Sequence, residues 1–294
     1  MFHGLLGIES SVVALSAATA MMIFGKVNVE HIIVDAEWGT ILFFVGLFIV
    51  VGGMVETGVI KKLNGNQIKM IAIIAMFMDH FATTFYPNYE KFWWLLLIHL
   101  IGRVAAPIMW FMVVEGYTHT HSLKKYLERL LIFSIIAHFA YNFCFGISLI
   151  PLKDSLLNQT SIIWPLFLSV IGLWVEDQDW KDAKKIGCIL ILCLLAFPSD
   201  WSCFPILCTN HIYKNQGNLK KQVLGMALYI SMYVLVYCLC IDVVYGLLQF
   251  GIVLVYPIMS LYDGTRGKST FMKWFFYWFY VGHLILCGLI RVMM

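Results

Sequence analysis

The sequence predicts an all-α integral membrane protein, a polytopic bundle of about 9–11 transmembrane helices. Of its 294 residues 61% are hydrophobic and only 13% are charged, about half of the roughly 25% charged residues that soluble domains carry. Mean hydropathy is correspondingly high, at +0.83. Long apolar runs recur along the whole chain, and they do not alternate as barrel strands do. Helices are therefore expected, because a backbone in lipid must satisfy its own hydrogen bonds.

Eleven apolar segments are candidates for these helices. They are 7–24, 38–60, 68–86, 93–117, 130–150, 161–175, 186–197, 201–213, 223–241, 244–262 and 273–293. A span needs about 20 apolar residues. The segments 161–175, 186–197 and 201–213 are shorter than that, so we expect them to be tilted or re-entrant.

Basic residues in the loops predict the orientation of the bundle, because cytoplasmic loops are enriched in Lys and Arg. Fifteen of them fall in one set of alternate loops, near residues 61–69, 124–129, 181–185, 214–221 and 266–273. The other set holds only Lys26, Lys91 and Lys153. This asymmetry predicts a cytoplasmic N-terminus and an outside C-terminus in the plasma (inner) membrane. It also accounts for the net charge of +3, so nothing indicates a nucleic-acid partner.

Several ionisable side chains interrupt the apolar runs between Met70 and Leu130. They are Asp79, His80, His99, Arg103 and Glu115. A charge at the bilayer centre costs about 2.5–3.5 kcal/mol on insertion scales, and such residues mark functional sites by default. The sequence therefore predicts a polar site inside the bundle.

His80 is the candidate general base, because a neutral imidazole can take a proton from an attacking amine or hydroxyl. Its alternative role is a hydrogen bond between two helices. Asp79 is adjacent in sequence, so the two side chains diverge by about 100° on a helix and do not readily form a direct dyad. Asp79 is instead free to pair with Arg103 on the next helix.

Arg103 lies near mid-depth, with His99 one turn earlier on the same face. Its planar guanidinium suits a carboxylate or a phosphate. It can hold substrate, stabilise an oxyanion or form an internal ion pair with Asp79, and the sequence leaves these open. Pro107, one turn later, is expected to open the backbone locally.

Glu115 precedes His119 and His121, but the loop around these histidines is basic, so we predict no metal site. His99 and Glu115 are candidate substrate-binding residues together with Arg266 and His283. No Walker loop, dinucleotide glycine fingerprint or serine nucleophile elbow occurs, which disfavours ATP or NAD chemistry and serine hydrolysis.

From residue 67 to 294 the sequence resembles the TraX family of membrane proteins, associated with acetylation of conjugative pilin. The resemblance rests on Met78-Asp79-His80, on GRVAAPIMWFMVVEGYTHT with the KKYLERL that follows, and on the closing LYDGTRGKSTFMKWFFYWFYVGHL. It implies a membrane acyltransferase that moves an acetyl or short acyl group from acyl-CoA to an amine or hydroxyl. In that enzyme His80, Asp79 and Arg103 are catalytic, Arg266 contacts the nucleotide phosphates, and pilin is the implied acceptor.

Residues 1–63 have a different character. The text EWGTILFFVGLFIVVGGMVETGVI resembles the start of ion transporters of the arsenite pump, sodium/proton antiporter and citrate carrier type. Such carriers use two related halves, of which only an early helix pair is matched here. We expect a fusion remnant or an accessory pair. The alternative functions are a secondary ion transporter and a non-catalytic membrane component of a conjugation or secretion system.

Overall fold

The computed structural model describes residues 62–150, 153, 158–267, 269 and 271–294. The predicted spans 7–24 and 38–60, and almost all of the transporter-like pair 1–63, lie outside the described residues. The proposed division at residue 63 stays a prediction.

Within these ranges the chain forms eleven α-helices and one 3₁₀ helix. They are α1 (Gly65–Phe85), α2 (Trp93–Gly102), α3 (Ala105–Thr118), α4 (Leu123–Phe145), α5 (Ile163–Glu176), α6 (Asp182–Ala196), α7 (Phe204–Lys214), α8 (Leu219–Cys240), α9 (Val243–Leu248), the 3₁₀ helix Gln249–Leu254, α10 (Val255–Ser260) and α11 (Phe271–Met293). Extended pairing in the described ranges is confined to two isolated bridges, Leu63 with Tyr262 and Thr160 with Ser199.

Six stretches of the described chain are long and apolar enough to cross a membrane: α1, α2 with α3, α4, α8, the run from α9 to α10, and α11. Their outer faces carry large exposed apolar side chains, such as Leu228 and Leu239 on α8, which are 61% and 75% exposed. An all-α polytopic membrane protein is thus confirmed.

The helix predicted at 130–150 runs instead from Leu123 to Phe145. Ser122 begins it, because its side chain accepts a hydrogen bond from the Lys125 backbone N–H. Gly146 ends it in the left-handed region, at φ 69°. The capping residues, and not the apolar run, therefore set the ends of this helix. The charged segment KKYLER forms its first turns.

The span predicted at 93–117 is interrupted between α2 and α3, at Arg103 and Val104. Pro107 explains the position of the break, since a proline ring clashes with the carbonyl four residues earlier, here that of Arg103. Pro107 therefore interrupts the helix as predicted, and the interruption lies one turn before the proline. The segment 244–262 is also broken, into α9, the 3₁₀ helix and α10.

The three short segments form α5, α6 and α7, of 14, 15 and 11 residues. At 1.5 Å per residue each is shorter than the roughly 30 Å hydrocarbon core. Asp177, after α5, accepts hydrogen bonds from Tyr117 and Tyr213. At the opposite ends of these helices the Asp200 amide donates to the Thr160 carbonyl.

Contacts at one end of the bundle join the loops that carry the basic residues. Gly65 and Asn66 donate to the backbone of Thr265 and Arg266. Arg129 donates to Tyr277. Further contacts there are Tyr262 to Glu115, Gln216 to Thr118 and Lys214 to Glu176. We call this the basic end; the Lys91–Asp242 ion pair belongs to the opposite end. That the basic end faces the cytoplasm stays a prediction.

Candidate active site

Asp79 is the centre of a buried polar cluster. Its two carboxylate oxygens are divided between two partners: Oδ1 lies 2.7 Å from Nδ1 of His99, and Oδ2 accepts a 2.6 Å hydrogen bond from Arg103. The internal ion pair that the sequence allowed is therefore present. Asp79 has no direct bond to His80, as the helical spacing predicted.

Gly102 allows this close approach of α1 and α2. A Cβ atom added at this position would lie 2.5 Å from Cβ of Asp79 and 2.8 Å from its Oδ1. A side chain at residue 102 would therefore displace the carboxylate from Arg103 and His99. Glycine is required here for space, since its backbone is helical and not left-handed.

Arg103 is held by every nitrogen of its guanidinium group. Nη2 binds Asp79, Nη1 donates to Gln249 at 3.2 Å, and Nε donates to the His99 carbonyl at 3.2 Å. Trp201 stacks beside it, with the ring centroid 5.7 Å from Cζ. The break between α2 and α3 places Arg103 at the junction of four segments, where its charge is neutralised by Asp79.

His80 pairs with His283 across α1 and α11, with Nδ1 of His80 2.9 Å from Nε2 of His283. Nδ1 of His283 lies 2.9 Å from the Phe279 carbonyl oxygen. A carbonyl only accepts, so with both rings neutral His283 donates from Nδ1 and accepts at Nε2. His80 then donates from Nδ1, and its Nε2 carries the free lone pair. This tautomer is the one a general base needs.

A cavity of about 770 Å³ connects Asp79, His80, His99 and Arg103 to both ends of the bundle. A stripe of α1 lines it, from Asn66 and Lys69 through Met76 and His80 to Tyr86. At 1.5 Å per residue this stripe extends about 30 Å, the thickness of the hydrocarbon core. The cavity therefore follows the whole depth of the bundle.

The two ends of the cavity differ in charge. Within the described part of the chain, the charged lining residues of the basic end are Lys69, Lys125, Arg129, Arg266, Lys273 and Glu115. Five cations thus oppose one carboxylate. Towards the opposite end the described lining includes Tyr86, Tyr89, Tyr237 and Tyr245, and the α6–α7 connection contributes one carboxylate, Asp200. The basic end therefore suits a polyanion, whereas the opposite end does not.

The predicted site residues fall into two groups in this cavity. Asp79, His80, His99 and Arg103 line its middle, and Glu115 and Arg266 line its basic end. Glu115 accepts from Tyr262 and lies 3.5 Å from His119. His283, predicted as a substrate-binding residue, is not among the described residues that line the cavity, because it lies behind His80 and is 4% exposed. Its role in substrate binding stays a prediction.

Two polar residues of the site were not predicted from the sequence. Gln249, 3% exposed, holds Arg103, and it could have been noticed as an amide inside an apolar run. Asp200 lines the cavity from the connection between α6 and α7. Burial raises the pKa of Asp200 to about 6; the Arg103 guanidinium opposes this shift, and the Asp79 carboxylate adds to it. The sequence signal for Asp200 was an acidic residue between two short apolar segments.

The family model for TraX protein matches residues 64–291. The chain belongs to the TraX family. This TraX-family chain is 28% identical over 230 residues to "Probable fimbrial assembly protein FimC, serogroup H1" of Dichelobacter nodosus, an alignment that covers 76% of this chain and 93% of that protein. No solved structure matches.

A second family model, for the citrate transporter, matches residues 2–113 and overlaps the TraX match from residue 64. "Uncharacterized transporter MT2759" of Mycobacterium tuberculosis is 35% identical over 80 residues, 24% of this chain and 19% of that protein. "Uncharacterized transporter Mb2703" of Mycobacterium bovis is 41% identical over 61 residues, 21% of this chain and 14% of that protein. The chain thus spans less than a fifth of these transporters. The resemblance of the N-terminal segment to ion transporters is confirmed.

Proposed function

We propose that this chain is a membrane-embedded acyltransferase that moves an acetyl or other short acyl group from cytosolic acyl-CoA to an amine or hydroxyl acceptor. The single observation that carries the proposal is the cavity that joins five cations at the basic end to His80. A donor with phosphates at one end and a thioester at the other matches that distribution of charge.

The phosphates of acyl-CoA would bind at the basic end, where Arg266 and Lys273 line the mouth and Lys69 lies deeper on α1. From Lys69 to His80 is eleven residues of helix, about 16 Å. An extended arm along this path brings the thioester to the middle of the cavity. Met76 and Met112, which line the path, are adaptable apolar contacts for such an arm.

Transfer then needs one base and an electrostatic partner for the developing oxyanion. The acceptor nitrogen or oxygen attacks the thioester carbonyl, and its proton goes to Nε2 of His80. The carbon–sulfur bond breaks, and the CoA thiolate takes the proton from His80. Arg103 has two N–H groups beyond its three bonds, and these can face the oxyanion. Asp79 and Gln249 fix its orientation.

A membrane component of a fimbrial or pilus system is the cellular setting we propose. The FimC relative supports it, because the alignment covers nearly the whole of that fimbrial assembly protein. Within such a system a pilin subunit is the proposed acceptor.

The test uses radiolabelled acetyl-CoA added to membrane vesicles, with the basic end accessible, from cells that express the chain together with the pilin of its own host. The wild type should label the pilin, and His80→Ala should not, with a loss of about 10²–10⁴ in rate. His138→Ala is the matched control, since His138 bonds to the Leu149 carbonyl away from the cavity. Equal labelling by His80→Ala would refute the mechanism.

A secondary ion transporter is the second candidate, and one observation favours it. The citrate-transporter match extends to residue 113 and so includes Asp79, His80 and Arg103. In that case the buried charges would relay a proton or another ion. Purified protein in liposomes that moves ions and does not respond to acetyl-CoA would replace the acyltransferase proposal with this one.

A further inference from the structure

The connection between α1 and α2, residues 86–92, lies at the end of the cavity opposite the basic end. We call this connection the strap. Pro87 and Tyr89 of the strap line the cavity. Tyr237, in the last turn of α8, and Tyr245 of α9 line the same end. The strap and the start of α9 therefore border this mouth of the cavity together.

Three contacts fasten the strap to α9. Nζ of Lys91 lies 2.7 Å from Oδ2 of Asp242, the residue that caps the start of α9. The Tyr245 hydroxyl donates a 2.8 Å hydrogen bond to the Glu90 carbonyl. The ring of Tyr89 meets the ring of Tyr245 edge-on, with the centroids 4.9 Å apart. These contacts hold the strap against α9 and narrow the mouth.

The backbone of the strap is strained in this position. Tyr89 is left-handed, at φ 54°, a conformation that non-glycine residues keep only where the surroundings enforce it. Hydrogen bonds from the Tyr86 amide to Ala82 and from the Leu96 amide to Phe92 fix the two ends of the strap on α1 and α2. Release of the contacts to α9 would therefore relieve the strain at Tyr89 while both ends of the strap stay in place.

The ion pair is a fastening that solvent can reach. The side chains of Lys91 and Asp242 are 53% and 22% exposed. Exposed ion pairs contribute little stability and are screened by salt. The ring of Tyr245, by contrast, is buried. A fastening this weak allows the strap to exchange between a closed and an open position, which a rigid wall would not.

Tyr245 connects the strap to the polar cluster in the middle of the cavity. Its ring lies 5.4 Å from the ring of His99, measured between centroids. Nδ1 of His99 in turn lies 2.7 Å from Oδ1 of Asp79. The strap is therefore separated from the ring that orients Asp79 by a single side chain.

We propose that residues 86–92 form a gate at the end of the cavity opposite the basic end, and that the Lys91–Asp242 ion pair is its latch. The gate is closed while the latch is intact, and it opens when the strap moves away from Tyr245. A ligand that enters from this end has to break the ion pair, whereas a ligand that enters from the basic end does not. The gate controls access to the cavity and does not depend on acyl transfer.

The test measures how fast N-ethylmaleimide, an uncharged thiol reagent, modifies the full chain with the substitution Thr83→Cys in nanodiscs. Thr83 lines the cavity on α1, one turn before Tyr86. Mass spectrometry of the peptide that contains residue 83 separates this thiol from the eight native cysteines. Reagent that enters from the basic end contributes equally to every latch variant, so a difference in rate reports the gate.

With Thr83→Cys present, Lys91→Gln and Asp242→Asn should each raise the modification rate by about 2- to 5-fold, the factor that one exposed ion pair confers. Asparagine still caps the start of α9. The double variant should react no faster than either single variant, because both changes remove the same ion pair. Lys214→Gln, which removes the ion pair with Glu176 at the basic end, is the matched control and should leave the rate unchanged.

Unchanged rates in both single variants, an equal rise in Lys214→Gln, or a double variant that multiplies the two single effects would each overturn the proposal. Salt provides a second measurement. Raising sodium chloride from about 0.05 M to about 0.5 M should raise the rate while Lys91 and Asp242 are both present, because the ion pair is screened. If the latch variants do not fold, this measurement decides: a rate that does not change with salt would overturn the proposal.

Discussion

His283 orients the ring of His80: Nδ1 of His80 lies 2.9 Å from Nε2 of His283. The His283 ring is itself tied to the Phe279 carbonyl one turn earlier on α11. Hydrogen bonds that fix the tautomer of a functional histidine are a common supporting arrangement. Here two histidines and one carbonyl leave Nε2 of His80 unprotonated.

His283→Phe should therefore slow acetyl transfer without weakening acetyl-CoA binding. We expect a loss of up to about 10²-fold in kcat, the lower end of the range for a general base, and an unchanged KM for acetyl-CoA. His283→Gln should recover part of the rate, because its amide oxygen can accept from His80. Steady-state kinetics check this, with His138→Phe as the control. A raised KM with unchanged kcat would assign His283 to substrate binding.

Gly102→Ala should destabilise the protein, because its Cβ would lie 2.5 Å from Cβ of Asp79. Overpacking of this kind typically costs about 1–3 kcal/mol. Gly187→Ala on α6 is the matched control, since nothing lies within 4 Å of its added Cβ. Alanine is favoured over glycine in a helix by up to about 1 kcal/mol, so the control should be neutral or stabilising. Thermal unfolding of both variants tests this prediction. Equal Tm values would show that α1 and α2 have room to move apart.

Arg266→Ala and Lys273→Ala should each raise the dissociation constant of acetyl-CoA by about 10-fold, because each variant would remove one charge-assisted hydrogen bond to a phosphate. Both residues line the basic end of the cavity. Binding to the wild type should weaken as salt is added, because exposed charges are screened. Lys220→Ala, in the first turn of α8 and not among the cavity-lining residues, should have little effect. Calorimetry measures all of these. If Lys220→Ala weakens binding as much as Arg266→Ala does, the general charge of this face is responsible, not the cavity.

Asp200 should make the protein less stable as the pH rises. Its pKa is raised in the folded state, from 3.8 to about 6, so the folded protein binds the proton more tightly than the unfolded chain does. The contribution of Asp200 to stability is then highest below about pH 4, falls between pH 4 and 6 and is constant above that. The difference corresponds to about 3 kcal/mol. Asp200→Asn should accordingly be more stable than the wild type at pH 8, with a gap that narrows towards pH 4. A gap that does not depend on pH would show that Asp200 keeps an ordinary pKa.

The sequence was sufficient for the membrane fold, because long apolar helices must satisfy their backbones internally. It also allowed the Asp79–Arg103 pair as one of three open roles for Arg103, since a charge at membrane depth requires a partner. The pairing of His80 with His283 was beyond it, because more than 200 residues separate the two rings along the chain and apolar periodicity does not determine which helices are neighbours. Asp200 was missed for a related reason: its place in the cavity wall depends on the turn that follows it, with two left-handed residues, which composition does not indicate.

The central claim is that the cavity holds acyl-CoA with its thioester beside His80. A calorimetric titration of the purified full chain in nanodiscs with acetyl-CoA tests this most directly. The wild type and His80→Ala should both bind, with the same affinity, because the base acts on the acceptor and not on the nucleotide. Absence of binding to the wild type, under conditions where the protein is folded, would contradict the account.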